Sequence, residues 1–133
     1  MMKKLLLAFA LALFAGQIIA SPVDVITAKS LGVKFLKTNV LSARSITDVE
    51  LAYTLKSVNN TPYLYIFNYS DGFVIVAAAD CAYPILAVSD EGALNADDIP
   101  EGLAYYLNHY GEQIQFAVDN GLVADEEVSK QWE

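Results

Sequence analysis

The sequence has 133 residues and a formal net charge of −8 at pH 7, from 16 acidic and 8 basic side chains. Hydrophobic residues make up 55% of the chain, which excludes intrinsic disorder as the default state. The acidic balance argues against a nucleic-acid partner and against an anionic membrane partner, because both carry negative charge.

Residues 1–20 have the pattern of a secretory signal peptide. Lys3 and Lys4 precede a continuous apolar run, and the small residue Ala20 provides a cleavage site. The run is shorter than the roughly 20 residues that span a bilayer, so we expect no membrane association after cleavage. We therefore predict an exported protein, periplasmic or secreted, whose folded part is one domain over residues 21–133.

The chain has one cysteine, Cys81, and one histidine, His109. An intrachain disulfide is therefore impossible, and a structural zinc site would lack ligands. The glycines are scattered and form no phosphate-binding loop. We expect no cofactor, no metal and no enzymatic activity, although a nucleophilic Cys–His pair stays formally available.

The first element of the folded part is a predicted helix over Val23 to Lys37, where apolar residues recur at the spacing of one helix face. Either Asp24 or Thr27 can cap its start. The lysines of this segment are expected on a solvated face, and they are Lys29, Lys34 and Lys37.

A block of strands follows, separated by short turns rich in Asn, Asp, Gly and Pro. The predicted strands are Glu50 to Val58, Tyr63 to Tyr69, Phe73 to Ala78 and Tyr83 to Val88. Sequential strands with such short connections predict an antiparallel meander.

The last predicted element is a long helix. Asp98-Ile99-Pro100-Glu101 has the spacing of a capping box, with proline in the first turn. Its apolar stripe consists of Leu103, Leu107, Tyr110, Ile114 and Ala117. Asn120-Gly121 ends the helix, with Leu122 placed for a hydrophobic capping contact. His109 lies off the stripe and is expected on the helix surface.

These elements predict an α+β fold, with an antiparallel sheet of three to four strands and helices packed on one face. The second strand then leaves an aromatic stripe on the other face, formed by Tyr63, Tyr65, Phe67 and Tyr69. Two interpretations stay open. The stripe is either core, or a binding surface that is partly exposed in the free protein.

One stretch resembles a known family. It runs from Asp71 through Gly72-Phe73-Val74-Ile75-Val76 to Asp80, and continues through Tyr83-Pro84-Ile85-Leu86-Ala87 to Asp90. This stretch is similar to the propeptide of streptopain-type cysteine proteases and to free-standing Spi-type inhibitors. The resemblance extends from about Val23 to Ile114. Cys81 departs from it, because relatives are expected to have a polar or basic residue there.

The resemblance implies an exported bacterial protein that reversibly occludes the active-site cleft of a papain-fold protease. The expected partner is a streptopain-like cysteine protease. We expect protease contacts in the loop after the third strand, in the next turn, at the start of the last helix and on the aromatic stripe. The residues are Asp80, Cys81, Ala82, Tyr83, Ser89, Asp90, Glu91, Asn95 and Tyr65.

Other functions stay open at this point. The chain is alternatively a non-inhibitory extracellular binding module or a degenerate orphan propeptide, and a small hydrolase is the least favoured reading. Cys81 is either a small apolar filler or an accessible thiol able to pair between chains.

Overall fold

The computed structural model describes residues 20–39, 48–70 and 72–133. The signal-peptide prediction for residues 1–20 lies outside this part of the chain except at Ala20, and so does Asp71 of the resemblance. Among the described residues, no helix combines the length and the apolar composition needed to cross a bilayer.

Within the described residues, the chain forms one four-stranded antiparallel sheet and three helices. In chain order the elements are α1 (Val25–Asn39), β1 (Glu50–Lys56), β2 (Pro62–Tyr69), β3 (Gly72–Ala77), β4 (Ile85–Ser89), α2 (Glu101–Asp119) and α3 (Glu126–Gln131). The strands pair in sequence order, from β1 to β4. The predicted α+β class and the antiparallel meander are confirmed.

Helix α1 packs on the sheet face that carries the aromatic stripe. Asp24 caps the helix, since its Oδ1 accepts from the Thr27 N–H at 2.7 Å. Ala28, Gly32 and Leu36 are buried one turn apart. A Cβ at Gly32 would lie 3.3 Å from the Val74 side chain, so the small residue lets the helix backbone approach the sheet closely.

This packing corrects two predictions. Tyr65, Phe67 and Tyr69 are 6%, 0% and 4% exposed and form a core cluster with the buried residues of α1. Tyr63 is half-buried and packs with Ile114 of α2 instead. The expectation of a partly exposed aromatic face is therefore wrong for the three residues under α1. The helices also do not share one face, because α2 packs on the opposite side through Leu107. The sheet lies between α1 and α2, and each face is buried by a different helix.

The N-terminal cap of the long helix α2 differs from the predicted one. Pro100 is the N-cap residue and no side chain caps the helix, so the Asp98 capping box is not formed. The C-terminal cap is as expected. The Leu122 N–H donates to Ala117 O at 2.9 Å and the Gly121 N–H to Val118 O at 3.2 Å. Gly121 has φ +66°, the left-handed conformation this cap requires.

Helix α3 was not predicted from the sequence. Asp125 caps it, with Oδ1 accepting from the Val128 N–H at 2.9 Å. Just after this helix, Trp132 Nε1 donates to Ala82 O at 2.8 Å. This bond fastens the segment after α3 to the loop between β3 and β4.

Candidate functional site

The loop from Ala79 to Tyr83 contains four of the predicted contact residues and is held at two points. Asp80 Oδ1 accepts from the Ser21 N–H at 2.8 Å, and Ala82 O accepts from Trp132 Nε1 at 2.8 Å. The Tyr83 side chain is 45% exposed. The loop therefore presents Tyr83 from a backbone whose position is fixed by hydrogen bonds.

This loop borders helix α2 across a groove of about 380 Å³. Cys81, Ala82 and Tyr83 line one wall, and residues of α2 that include Tyr110 and Gln113 line the other. The groove brings the first predicted contact segment next to the C-terminal half of α2.

The second predicted segment, from Ser89 to Asn95, is held by Asn68. The Asn68 side chain donates to Leu94 O and accepts from the Leu94 N–H, each at 2.8 Å. The Leu94 side chain is buried in the cluster that also contains Leu107 of α2. This segment is thereby fastened beside the N-terminal half of α2.

The exposed residues of this segment project from the anchored backbone. Asp90, Glu91 and Asn95 are exposed and Ser89 is half-buried. Ser89 Oγ accepts from the Glu91 N–H at 3.2 Å, and Gly92 turns the chain with φ +95°. The two predicted segments lie at opposite ends of β4, a five-residue strand, and both flank α2. Tyr65 is not part of this arrangement, because it is buried under α1.

The outer face of α2 carries exposed aromatic side chains that are not among the predicted contact residues. Tyr105, Tyr106 and Phe116 are 70%, 60% and 63% exposed. The rings of Tyr105 and His109 stack with 6.3 Å between centroids and 4° between planes. The signal was present in the sequence, because positions 105, 109 and 116 share one helix face. We call Tyr105, Tyr106, His109 and Phe116 the aromatic patch.

Charge is segregated between the two sides of the sheet. Helix α1 contains three lysines and no acidic residue, whereas no lysine or arginine occurs from Ser57 to Ser129. Acidic residues occur on α2 and in the segment before it, and they are Asp90, Glu91, Asp97, Asp98, Glu101, Glu112 and Asp119. We call the α2 side of the molecule, with the two anchored segments, the acidic side.

The two reactive side chains do not form a nucleophilic pair. Burial raises the pKa of the Cys81 thiol, and the neighbouring Asp80 charge raises it further, so the thiol stays protonated at neutral pH. The hydrogen-bond partner of the His109 ring is the Gln113 side chain and not the Cys81 thiol, with 2.9 Å between His109 Nε2 and Gln113 Nε2. The described residues contain no group of three or more His, Cys, Asp or Glu that could hold a metal ion. The acidic side therefore combines exposed aromatic side chains with carboxylates.

Comparison with known proteins gives one match. A family model described as Spi protease inhibitor matches residues 20–114. The matched range contains both anchored segments and more than half of α2. No curated protein and no solved structure matches the chain.

Proposed function

We propose that this chain, which belongs to the Spi protease inhibitor family, inhibits streptopain-like cysteine proteases by occluding their active-site cleft with its acidic side. Membership implies a non-enzymatic role and a protease as partner. The cysteine-protease target, the reversible mode and the contact surface are the proposal.

One observation carries this proposal. Two separate segments suggested by the family resemblance, Asp80–Tyr83 and Ser89–Asn95, are both held beside helix α2, and the outer face of this helix carries the aromatic patch. An interface typically has a hydrophobic centre with aromatic anchors and a polar rim. Here Tyr105, Tyr106 and Phe116 supply the anchors, while the carboxylates of the acidic side supply the rim.

The anchoring of both segments suits an inhibitor that acts as a preformed plug. Binding costs free energy for every loop and side chain that must be ordered, and a surface that is already held avoids part of that cost. A propeptide also benefits from its covalent tether, which provides a high effective concentration. A separate inhibitor chain lacks the tether, so its contacts and its rigidity have to supply the affinity.

Export is a further part of the proposal. A streptopain-like target is a secreted enzyme, so the inhibitor has to reach the same side of the membrane. The signal-peptide pattern of residues 1–20 supports this route. N-terminal sequencing of protein from the exported fraction should give Ser21 as the first residue, whereas an intact Met1 would contradict cleavage.

The test of the inhibitor proposal compares two surfaces of the same molecule. The wild-type protein should inhibit a streptopain-like cysteine protease at stoichiometric concentrations. Changing Tyr105 and Phe116 together to alanine should raise the inhibition constant by about 10- to 1000-fold, the effect of losing two aromatic anchors. Both side chains are largely solvent-exposed, so the variant should remain folded.

The matched control is Ile26→Ala on α1, where the side chain is 79% exposed on the other side of the sheet. This variant should inhibit like wild type. Binding to the protease without inhibition would favour the non-inhibitory binding module. Neither binding nor inhibition would favour a degenerate orphan propeptide.

A further inference from the structure

The chain segment before α1 runs beside the end of β3 and is bonded to it along its length. The Val23 N–H donates to Ala78 O at 2.9 Å, and Pro22 and Ala79 form an isolated antiparallel bridge. At the start of the segment, Ser21 and Asp80 exchange two bonds. The Ser21 N–H donates to Asp80 Oδ1 at 2.8 Å, and the Asp80 N–H donates to Ser21 O at 3.1 Å.

We propose that the Asp80 carboxylate is a binding site for the α-ammonium group of Ser21, created when the chain is cleaved between Ala20 and Ser21. In the uncleaved chain the Ser21 nitrogen is a neutral amide that donates one hydrogen bond to Asp80. After cleavage the same nitrogen is a cation at the same place. The inference rests on the proposed cleavage and is independent of which protease the domain inhibits.

The chemical step is hydrolysis of one amide bond by water in the active site of a signal peptidase. The hydroxyl of water goes to the carbonyl carbon of Ala20, which becomes a carboxylate. The other proton of water goes to the Ser21 nitrogen, which leaves as an amine, and the proton released by the new carboxyl group converts this amine to an ammonium group. An α-amino group has an ordinary pKa of about 7.7–8.0, so most of it is charged at neutral pH.

Asp80 is well suited to receive this cation. Its side chain is half-buried, and its Oδ1 already lies at hydrogen-bond distance from the Ser21 nitrogen. Among the described residues, the single ion pair joins Lys130 and Glu126, so Asp80 has no lysine or arginine partner there. The bond from the Ser21 amide is charge-assisted on the acceptor side alone, and a cationic donor adds the Coulombic attraction of an ion pair. Cleavage should therefore strengthen a contact that is already formed.

The position of this site links processing to the candidate binding surface. Asp80 begins the segment that presents Tyr83, and Trp132 holds the same segment through Ala82 O at 2.8 Å. The new ammonium group would strengthen the other fastening point, the bond between Ser21 and Asp80. The mature protein would then hold this part of the acidic side more firmly than its precursor does.

The test uses two N-terminal forms of the protein, one beginning with a free amine at Ser21 and one with N-acetyl-Ser21. The acetyl form keeps the amide donor and lacks the charge. We expect the free-amine form to unfold about 2–5 °C higher at pH 7 and low salt, the scale of a partly exposed ion pair in a domain of this size. Hydrogen exchange at the Asp80 N–H should be about two- to fivefold slower in the free-amine form.

The Asp80→Asn variant shows whether the effect belongs to this carboxylate. In that background, the free-amine and acetyl forms should melt within about 1 °C of each other. The control is Asp48→Asn, which changes an exposed carboxylate elsewhere in the chain. In this background the difference in melting temperature between the free-amine and acetyl forms should persist. Equal melting temperatures and equal exchange in the two wild-type forms would overturn the proposal. So would a difference that survives in Asp80→Asn. Since neither readout involves protease, failure here is distinguishable from failure of the proposed inhibition.

Discussion

The side chain of Tyr65, on strand β2, is buried beneath helix α1. Its ring lies in the core cluster beneath the helix, and its hydroxyl donates to Val23 O at 2.8 Å. The polar tip of this tyrosine is thus satisfied by the backbone just before α1, so the whole side chain can be buried. The sequence of β2 left the exposed interpretation of the aromatic stripe open, because tyrosine is common at protein interfaces.

Two variants of Tyr65 should separate packing from hydrogen bonding. Tyr65→Phe removes the hydroxyl and should cost about 0.5–1.5 kcal/mol of unfolding free energy. Tyr65→Ala also removes the buried ring and should cost about 3–5 kcal/mol. Denaturant unfolding measures both values. A folded Tyr65→Ala protein with wild-type stability and weakened protease binding would restore the exposed-stripe interpretation.

Cys81 is predicted to be a sluggish thiol. Alkylating reagents react with the thiolate, and burial together with the Asp80 charge raises the pKa of this thiol. The rate of alkylation of the folded protein should therefore be low at pH 7. It should rise with pH with a midpoint above that of an exposed peptide cysteine. A rate at pH 7 equal to that of a model peptide would show that the thiol is accessible and unperturbed.

At the scale of elements, glycine residues in the helices allow close packing on the sheet. A Cβ at Gly111 would lie 2.9 Å from Leu55 Cδ2 and 3.2 Å from Tyr63 Cδ2. Helix α2 therefore approaches β1 and β2 as closely as glycine allows. Gly102, in the first turn of the same helix, has no atom within 4 Å of such a Cβ.

These two glycines give a matched pair of substitutions. Gly111→Ala should lower the unfolding free energy by about 1–3 kcal/mol, because the added methyl group overpacks the interface. Gly102→Ala should raise it by up to about 1 kcal/mol, because alanine has the higher helix propensity. Thermal unfolding of both variants measures the difference. Stabilisation by Gly111→Ala would mean that α2 packs less closely on the sheet.

The elements that were predictable have local signals. The α2 stripe contains Leu107 and Ile114, which are buried, and the Gly121 cap forms as expected. The side of the sheet on which α1 packs was not predictable, because period-2 alternation fixes two faces without showing which helix covers either. The bond from Trp132 to Ala82 spans 50 residues, and no local pattern indicates it.

At the scale of the whole molecule, the sheet separates a basic helix from an acidic side. This distribution has a kinetic consequence if the acidic side faces a cleft with basic surroundings. Attraction between opposite charges raises association rates, and salt screens it. The candidate site could be located in part from the family resemblance, through its two anchored segments. The aromatic patch was predictable in part, because positions 105, 109 and 116 share the helix face opposite the apolar stripe, and the structure shows that Tyr105 and Phe116 are exposed.

Charge variants should affect association with the protease more than dissociation. Asp90→Asn combined with Glu91→Gln should lower the association rate by several-fold at low salt, and the difference from wild type should shrink at physiological salt. Lys29→Gln on α1 is the control and should leave the rate unchanged or slightly higher. Rapid-mixing kinetics with the protease measures these rates. A wild-type rate that is independent of salt would exclude electrostatic steering.

Competition for the active-site cleft tests the central claim most directly. A streptopain-like cysteine protease is labelled covalently at its catalytic cysteine with a peptidyl inhibitor that fills the cleft, and binding of the mature domain is measured by calorimetry. We predict stoichiometric binding to the unlabelled enzyme and at least a 100-fold loss of affinity for the labelled one, because both occupants need the same space. Equal affinity for the two forms of the enzyme would contradict occlusion of the cleft.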